Sequence, residues 1–320
     1  MDDDDRKLLE RSIRHAMESH SGAALDAALG ELGWPEALSM DPRTAVSLLF
    51  ELQGATHANT SAMGALLSSA LGPEAGGGAG VVMPRLSQWD VPGRMVEGDL
   101  VIRGLGTASL VDGAVASVVA RIDGTDLALE VSTADLTFRA VRGMDPSLGL
   151  VEIAGDSVPC STRRELPPNA WPEAVALARI AAGHELVGAG RAVLELARGH
   201  ALERVQFGRP ISSFQAIRHR LADTLVALEA AAAALDSAWE VRSTLAAAMA
   251  KAQAGRGART AARHCQQVLA GIGFTTEHDF HLYVRRILVL NELFGSARGL
   301  TRNLGDELLA TRKLPPLPPL

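Results

Sequence analysis

The sequence predicts a mostly helical α+β protein with N-terminal helices, a small antiparallel β-domain, then a C-terminal four-helix-type bundle. Three observations predict it. Alanine and leucine are abundant while aromatic residues make up only 4% of the 320, which favours helices packed through small and aliphatic side chains. Between 81 and 165 the pattern changes to valine-rich alternating segments. From 166 to 312 it returns to long stretches of helical periodicity.

Residues 1–80 form the first zone. Leu8, Leu9, Ile13 and Met17 are spaced for one helix face, and Gly33-Trp34-Pro35 and Asp41-Pro42 read as turns. The stretch GPEAGGGAG, 72–80, has no helix-forming logic and reads as a flexible joint.

In the second zone the segments LVIRGLG, SVVARID, LALEVST and LTFRAVR alternate apolar and polar side chains. Gly98-Asp99, Asp112-Gly113 and Asp123-Gly124 separate them as hairpin signals. Ser161-Thr162-Arg163-Arg164 reads as a polar linker. Helices are then expected over about 172–203, 213–248, 261–269 and 281–309, followed by an extended proline-rich tail over 313–320.

Composition excludes several classes. Net charge is −6, and the 31 basic residues form no block interleaved with aromatics, which argues against a nucleic-acid partner. Apolar stretches such as 221–237 are broken by Asp223, Glu229 and Asp236, so no membrane span is expected. Two distant cysteines, Cys160 and Cys265, and an acidic start unlike a secretory signal fit a cytoplasmic protein. His278 and His281 read as a polar helix start, and no metal site is expected.

Two strings carry the chemistry. The first, Arg204-Val-Gln206-Phe207-Gly208-Arg209-Pro210-Ile211-Ser-Ser-Phe214-Gln215, joins two long helices and presents an arginine fork suited to a diphosphate. It resembles the acyl-CoA dehydrogenase signature R-x-Q-F-G-x-x-I-x-x-x-Q. The second, Gln267-Val-Leu-Ala270-Gly271-Ile-Gly273-Phe274-Thr-Thr-Glu277, is similar to the same family's Q-x-x-G-G-x-G-[FY]-x-x-E, with Ala270 in place of the first glycine. The resemblance implies an acyl-CoA dehydrogenase fold, FAD as cofactor and an acyl-CoA as substrate. It further implies FAD contacts at Arg204, Gln206, Phe207, Phe214, Gln215, Gln267 and Gly271, directed at a flavin held mainly by a neighbouring subunit.

The family's reaction also needs a carboxylate base. Most members place it 21 residues after the last glycine of the second string, which here is Phe294; Arg285 falls on the arginine of the family's Arg-Asp pair. A minority place it 26 residues before the arginine of the first string, which here is Ala178. Neither can take a proton, so no catalytic residue is assigned. Glu185 and Glu292 are the nearest carboxylates in sequence, and both read as solvated or ion-paired surface carboxylates. The flavin-ring segment of the β-domain is thin, leaving Met83-Pro84-Arg85, Trp89-Asp90 and Thr107-Ala-Ser109 as remnants, with Trp89 expected to pack into the β-domain.

This pattern of loss resembles the shortened subunit of actinobacterial heteromeric acyl-CoA dehydrogenases of steroid side-chain degradation. It implies a non-catalytic, flavin-completing half of an α2β2 heterotetramer, with a longer homologue supplying the base and the isoalloxazine pocket. Two alternatives stand beside it: a self-sufficient homomeric enzyme with a relocated base at Glu185 or Glu292, and a helical scaffold that binds no flavin.

Overall fold

The computed structural model describes residues 3–72, 80–160 and 162–314. The joint expected at 72–80 lies almost wholly outside them, as does the tail beyond 314. Five helices come first: α1 (Asp3–Ser19), α2 (Ala23–Glu31), α3 (Trp34–Met40), α4 (Pro42–Thr56) and α5 (Ala62–Leu71). Asp41 starts α4 by accepting the Thr44 N–H at 3.2 Å, a side-chain cap for one of the helix's free first-turn donors.

The strands β1 (Gly93–Val96), β2 (Asp99–Gly106), β3 (Val115–Ile122), β4 (Thr125–Ser132), β5 (Thr137–Ala140), β6 (Val151–Gly155) and β7 (Thr162–Glu165) make one sheet, ordered β5-β6-β2-β1-β3-β4-β7. Pairing is antiparallel except between β1 and β3. Asp123-Gly124 makes the two-residue hairpin between β3 and β4, both residues at positive φ as such a turn requires. Asp112-Gly113 does not: it follows a single helical turn, α6 (Ala108–Val111), because the 107–109 remnant coils instead of extending. The expected polar linker is also corrected, since Thr162–Glu165 is β7, whose backbone completes the edge beside β4.

The C-terminal helices are α7 (Ala170–Glu203), α8 (Gln215–Val241), α9 (Thr244–Leu269), α10 (Phe280–Glu292) and α11 (Ala297–Thr311). Two expected helices are therefore split. Arg242 turns left-handed at φ 51°, and Ser243 caps α9 by accepting from Ala246 N at 3.1 Å. Phe294 and Gly295, at φ 55° and 103°, end the next, and Ser296 caps α11 from Gly299 N at 3.1 Å.

One apolar core runs from Ile13 to Phe294 and joins the first helices to α7, α8, α9 and α10; the sheet has a second. At its centre α7 packs against α4, α5, α8, α9 and α10. Gly54 of α4 and Gly188 of α7 bring two main chains into contact. A Cβ at Gly54 would collide with the Glu185 carbonyl, and one at Gly188 with that of Glu51.

Candidate cofactor-contact site

The first string is built as a projecting hairpin. α7 ends at Glu203, and Arg204 turns the chain into β8 (Val205–Gln206), which pairs with β9 (Arg209–Pro210). Phe207 and Gly208 form the two-residue turn at φ 54° and 78°, and Ile211 N closes the base on Arg204 O at 2.8 Å. Glycine takes the second positive-φ position without a Cβ clash. The Phe207 side chain is 90% exposed; it meets Phe214 edge-on at 6.1 Å, and the Arg209 guanidinium stacks 4.4 Å over the Phe214 ring. These contacts hold the hairpin in shape while leaving its polar groups outward. Arg204, Gln206 and Gln215 are exposed, and no side-chain hydrogen bond or ion pair engages them among the described residues.

The second string ends α9. Gln267 is exposed, Ala270–Phe274 wind into a 3₁₀ turn, and no atom lies within 4 Å of where a Cβ would stand on Gly271. Ala270 takes φ 52° and ψ −130°, a conformation suited to the glycine it replaces. Both strings converge on one end of the molecule. A cavity of about 510 Å³ there is lined by Gly199, His200 and Glu203 from α7, and by Ile272 and His278 from the second string. Burial, then His278 and Arg204, hold the His200 imidazole below its ordinary pKa. His278 and His281 are used locally: His278 Nδ1 accepts from Phe280 N at 3.1 Å, and His281 Nδ1 lies 2.9 Å from His278 O.

The positions where a family base would sit are closed. Ala178 is fully buried in α7, and Phe294 is 2% exposed. Between them Arg179 is buried; its Nε donates to the Phe294 carbonyl at 3.0 Å, and its guanidinium lies 5.4 Å from the Trp89 ring centre. Burial lowers the Arg179 pKa to about 10. Trp89 therefore packs on the C-terminal helices, against the expectation that it packs into the β-domain; its carbonyl accepts from Trp171 Nε1 at 3.0 Å. Lys251 is also fully buried, donating to the carbonyls of Leu290 at 3.0 Å and Asn291 at 3.2 Å, and burial lowers its pKa to about 7.

Neither nearby carboxylate is a free surface group. Glu185 is buried and bound by Arg286 Nη1 at 3.1 Å. The same arginine holds Asp145, from the β-domain, through Nε at 2.5 Å. Burial outweighs Arg286 and keeps the Glu185 carboxyl above its ordinary range, whereas for Asp145 the pull of Arg286 and Ser147 outweighs burial and keeps it below. Glu292 is the last residue of α10, so Phe294 sits past a helix end and not on another face of the same helix. Its carboxylate accepts from Ser87 Oγ and from Asn291 Nδ2, the latter at 2.7 Å. Arg285, aligned with the family's arginine, is exposed; the buried partner is its neighbour Arg286, a residue that sequence reasoning missed.

Residues 171–309 match the family description "Acyl-CoA dehydrogenase, C-terminal domain". Over that stretch the chain is similar to the family's C-terminal domain. Acyl-CoA dehydrogenase IpdE2 of Mycobacterium tuberculosis is 36% identical over 168 residues, 52% of this chain and 51% of that protein. The match thus spans about half the length of this relative. Two solved structures share the fold across almost the whole chain. The Tcur3481-Tcur3483 steroid ACAD variant has TM-score 0.81 and 20% identity, covering 97% of this chain and 99% of that one. The ChsE4-ChsE5 complex from Mycobacterium tuberculosis has TM-score 0.79 and 19% identity, covering 99% of each chain. No helix among the described residues is long and apolar enough to cross a membrane.

Proposed function

We propose that this chain is the flavin-completing, non-catalytic subunit of a heteromeric FAD-dependent acyl-CoA dehydrogenase. One contrast carries the reading. The polar residues that resemble the family's flavin contacts, Arg204, Gln206, Gln215 and Gln267, stand exposed with no side-chain hydrogen bond among the described residues, while both base positions are sealed inside the helical core.

The donor set fits a flavin dinucleotide approached from outside. Arg204 offers a planar fork to the diphosphate, Gln206 and Gln267 each offer a donor and an acceptor, and Gly271 leaves its backbone open to close approach. Phe207, Phe214 and Gln215 line the hairpin face that would exclude water from those contacts. The flavin, when bound, supplies the hydride acceptor for α,β-dehydrogenation of an acyl-CoA thioester. This chain supplies no base: Phe294 and Ala178 cannot take a proton, and Glu185 is locked to Arg286 in the interior. The base and the isoalloxazine pocket are assigned to a longer homologous partner in an α2β2 assembly. Two similar structures named as paired chains, one of them a steroid ACAD, favour such a partner and a steroid-derived acyl group.

The test is the visible spectrum and the flavin-to-protein ratio of the chain alone and co-purified with a longer homologue. The reading expects no flavin alone and about one per unlike pair. A full complement of flavin in the chain alone would overturn it.

A further inference from the structure

A groove between α9 and α11 gathers five arginines with no carboxylate among them. Several arginines elsewhere meet carboxylates: Arg43 with Asp236 and Glu240, Arg121 with Asp126, Arg191 with Glu51 and Glu229, Arg198 with Glu195. Arg256, Arg259 and Arg263 follow one another along one face of α9, and Arg298 and Arg302 stand on α11 opposite. These five arginines line a single cavity of about 810 Å³, and no aspartate or glutamate lines it. None of the five has an ion pair or hydrogen bond among the described residues. In a chain of net charge −6, this concentration of cations goes against the overall balance.

The shape of the groove selects among anions. Its volume suits a small molecule, and Val284 and Leu288 of α10 give it an apolar floor between the two charged walls. Guanidinium forks match phosphate oxygens bidentately, and arginines on facing walls suit more than one phosphate. The hydroxyls of Thr260 and Thr301 and the amide of Gln266 add neutral polar groups to the lining.

We propose that this groove binds a nucleoside diphosphate or a larger phosphorylated nucleotide, with its phosphates between the α9 and α11 arginines and its base on Val284 and Leu288. The site shares no residue with the Arg204 hairpin, and the proposal goes beyond the flavin reading without resting on it. Neighbouring charge agrees: burial, then Arg220 and Arg263, lower the His264 imidazole pKa on the same stretch of α9.

Isothermal titration of the full chain with ADP, AMP, adenosine and coenzyme A tests it. ADP should bind more tightly than AMP, and adenosine should not bind measurably. The double substitution Arg259→Ala, Arg263→Ala should weaken ADP by about tenfold or more, while Arg121→Ala in the β-sheet leaves it unchanged. Higher salt should weaken binding further. Coenzyme A binding well above ADP would assign the site to the nucleotide end of the coenzyme; equal affinity would assign it to free nucleotide. Circular dichroism of the double variant keeps a folding defect distinct from a lost site. No ADP binding up to about 5 mM, or binding that survives the double substitution in a folded protein, would overturn the proposal. Failure to bind ADP together with loss of pairing to a longer homologue on Arg259→Glu would also overturn it, in favour of a protein interface.

Discussion

Arg179 donates its Nε–H to the carbonyl oxygen of Phe294 at 3.0 Å, and so ties together the two segments where a family base would lie. The bond spans 115 residues of sequence and is buried. With Trp89 against the guanidinium, a positive charge and an aromatic ring occupy the space between these segments. A carboxylate there would meet a filled interior. The chemical emptiness of these positions and their physical closure are two aspects of the same packing.

Arg204→Ala should lower flavin retention in the assembled complex. Loss of one charge-assisted bond costs about 1.5–3 kcal/mol, a weakening of roughly ten- to a hundredfold, and leaves the fold of this exposed turn intact. Flavin dissociation measured by dilution of the complex reads the effect directly; an unchanged constant would remove Arg204 from the site.

Arg286→Ala should be among the most destabilising substitutions in the chain. It strands two buried carboxylates, Glu185 and Asp145, and breaks a link between α7, α10 and the β-domain. The expected loss is about 3–5 kcal/mol in urea unfolding, and replacing all three groups with apolar residues of similar volume should recover most of it.

Gly188→Ala should force α7 away from α4, costing about 1–3 kcal/mol or more because the new methyl meets backbone. Gly199→Ala in the same helix is the control. Nothing lies within 4 Å of its Cβ position, so gained helix propensity should make it neutral or stabilising. Equal effects at both positions would mean that the close approach of the two helices is not a constraint.

Lys251 predicts a pH effect with a definite sign. Its folded pKa of about 7 lies below the unfolded value of 10.5, so between those values the unfolded chain holds more protons than the folded one. Stability should therefore rise as pH climbs from about 7 towards 10, as the cost of burying the charge disappears. Lys251→Met should flatten that rise in melting temperature relative to the unchanged protein.

The first string is legible in the linear sequence because it is local. The string from Arg204 to Gln215 folds on itself into one hairpin, so its spacing in sequence is close to its spacing in space. The core is harder to read. Glu185 meets Arg286 across 101 residues and Asp145 meets it across 141, and no local pattern marks either pair. The helix break at Arg242 escapes notice because its turning residue is not glycine, and the break at Phe294-Gly295 because apolar residues flank a single glycine. The arginine groove escapes the sequence reading, because Arg256 and Arg259 fall between the helices expected over 213–248 and 261–269 whereas α9 is continuous. Only the fold puts Arg256, Arg259 and Arg263 on one helix face and sets Arg298 and Arg302 across from them.

The backbone contact between α4 and α7 bears on how such a chain can change over generations. Every single-nucleotide change in a glycine codon that alters the residue adds a side chain, and at Gly54 or Gly188 that side chain strikes a neighbouring carbonyl. Drift at either codon alone is penalised, and widening the gap between the helices calls for compensating changes in both. Selection can preserve the closed interior with two codons, whereas its reversal needs several coordinated steps.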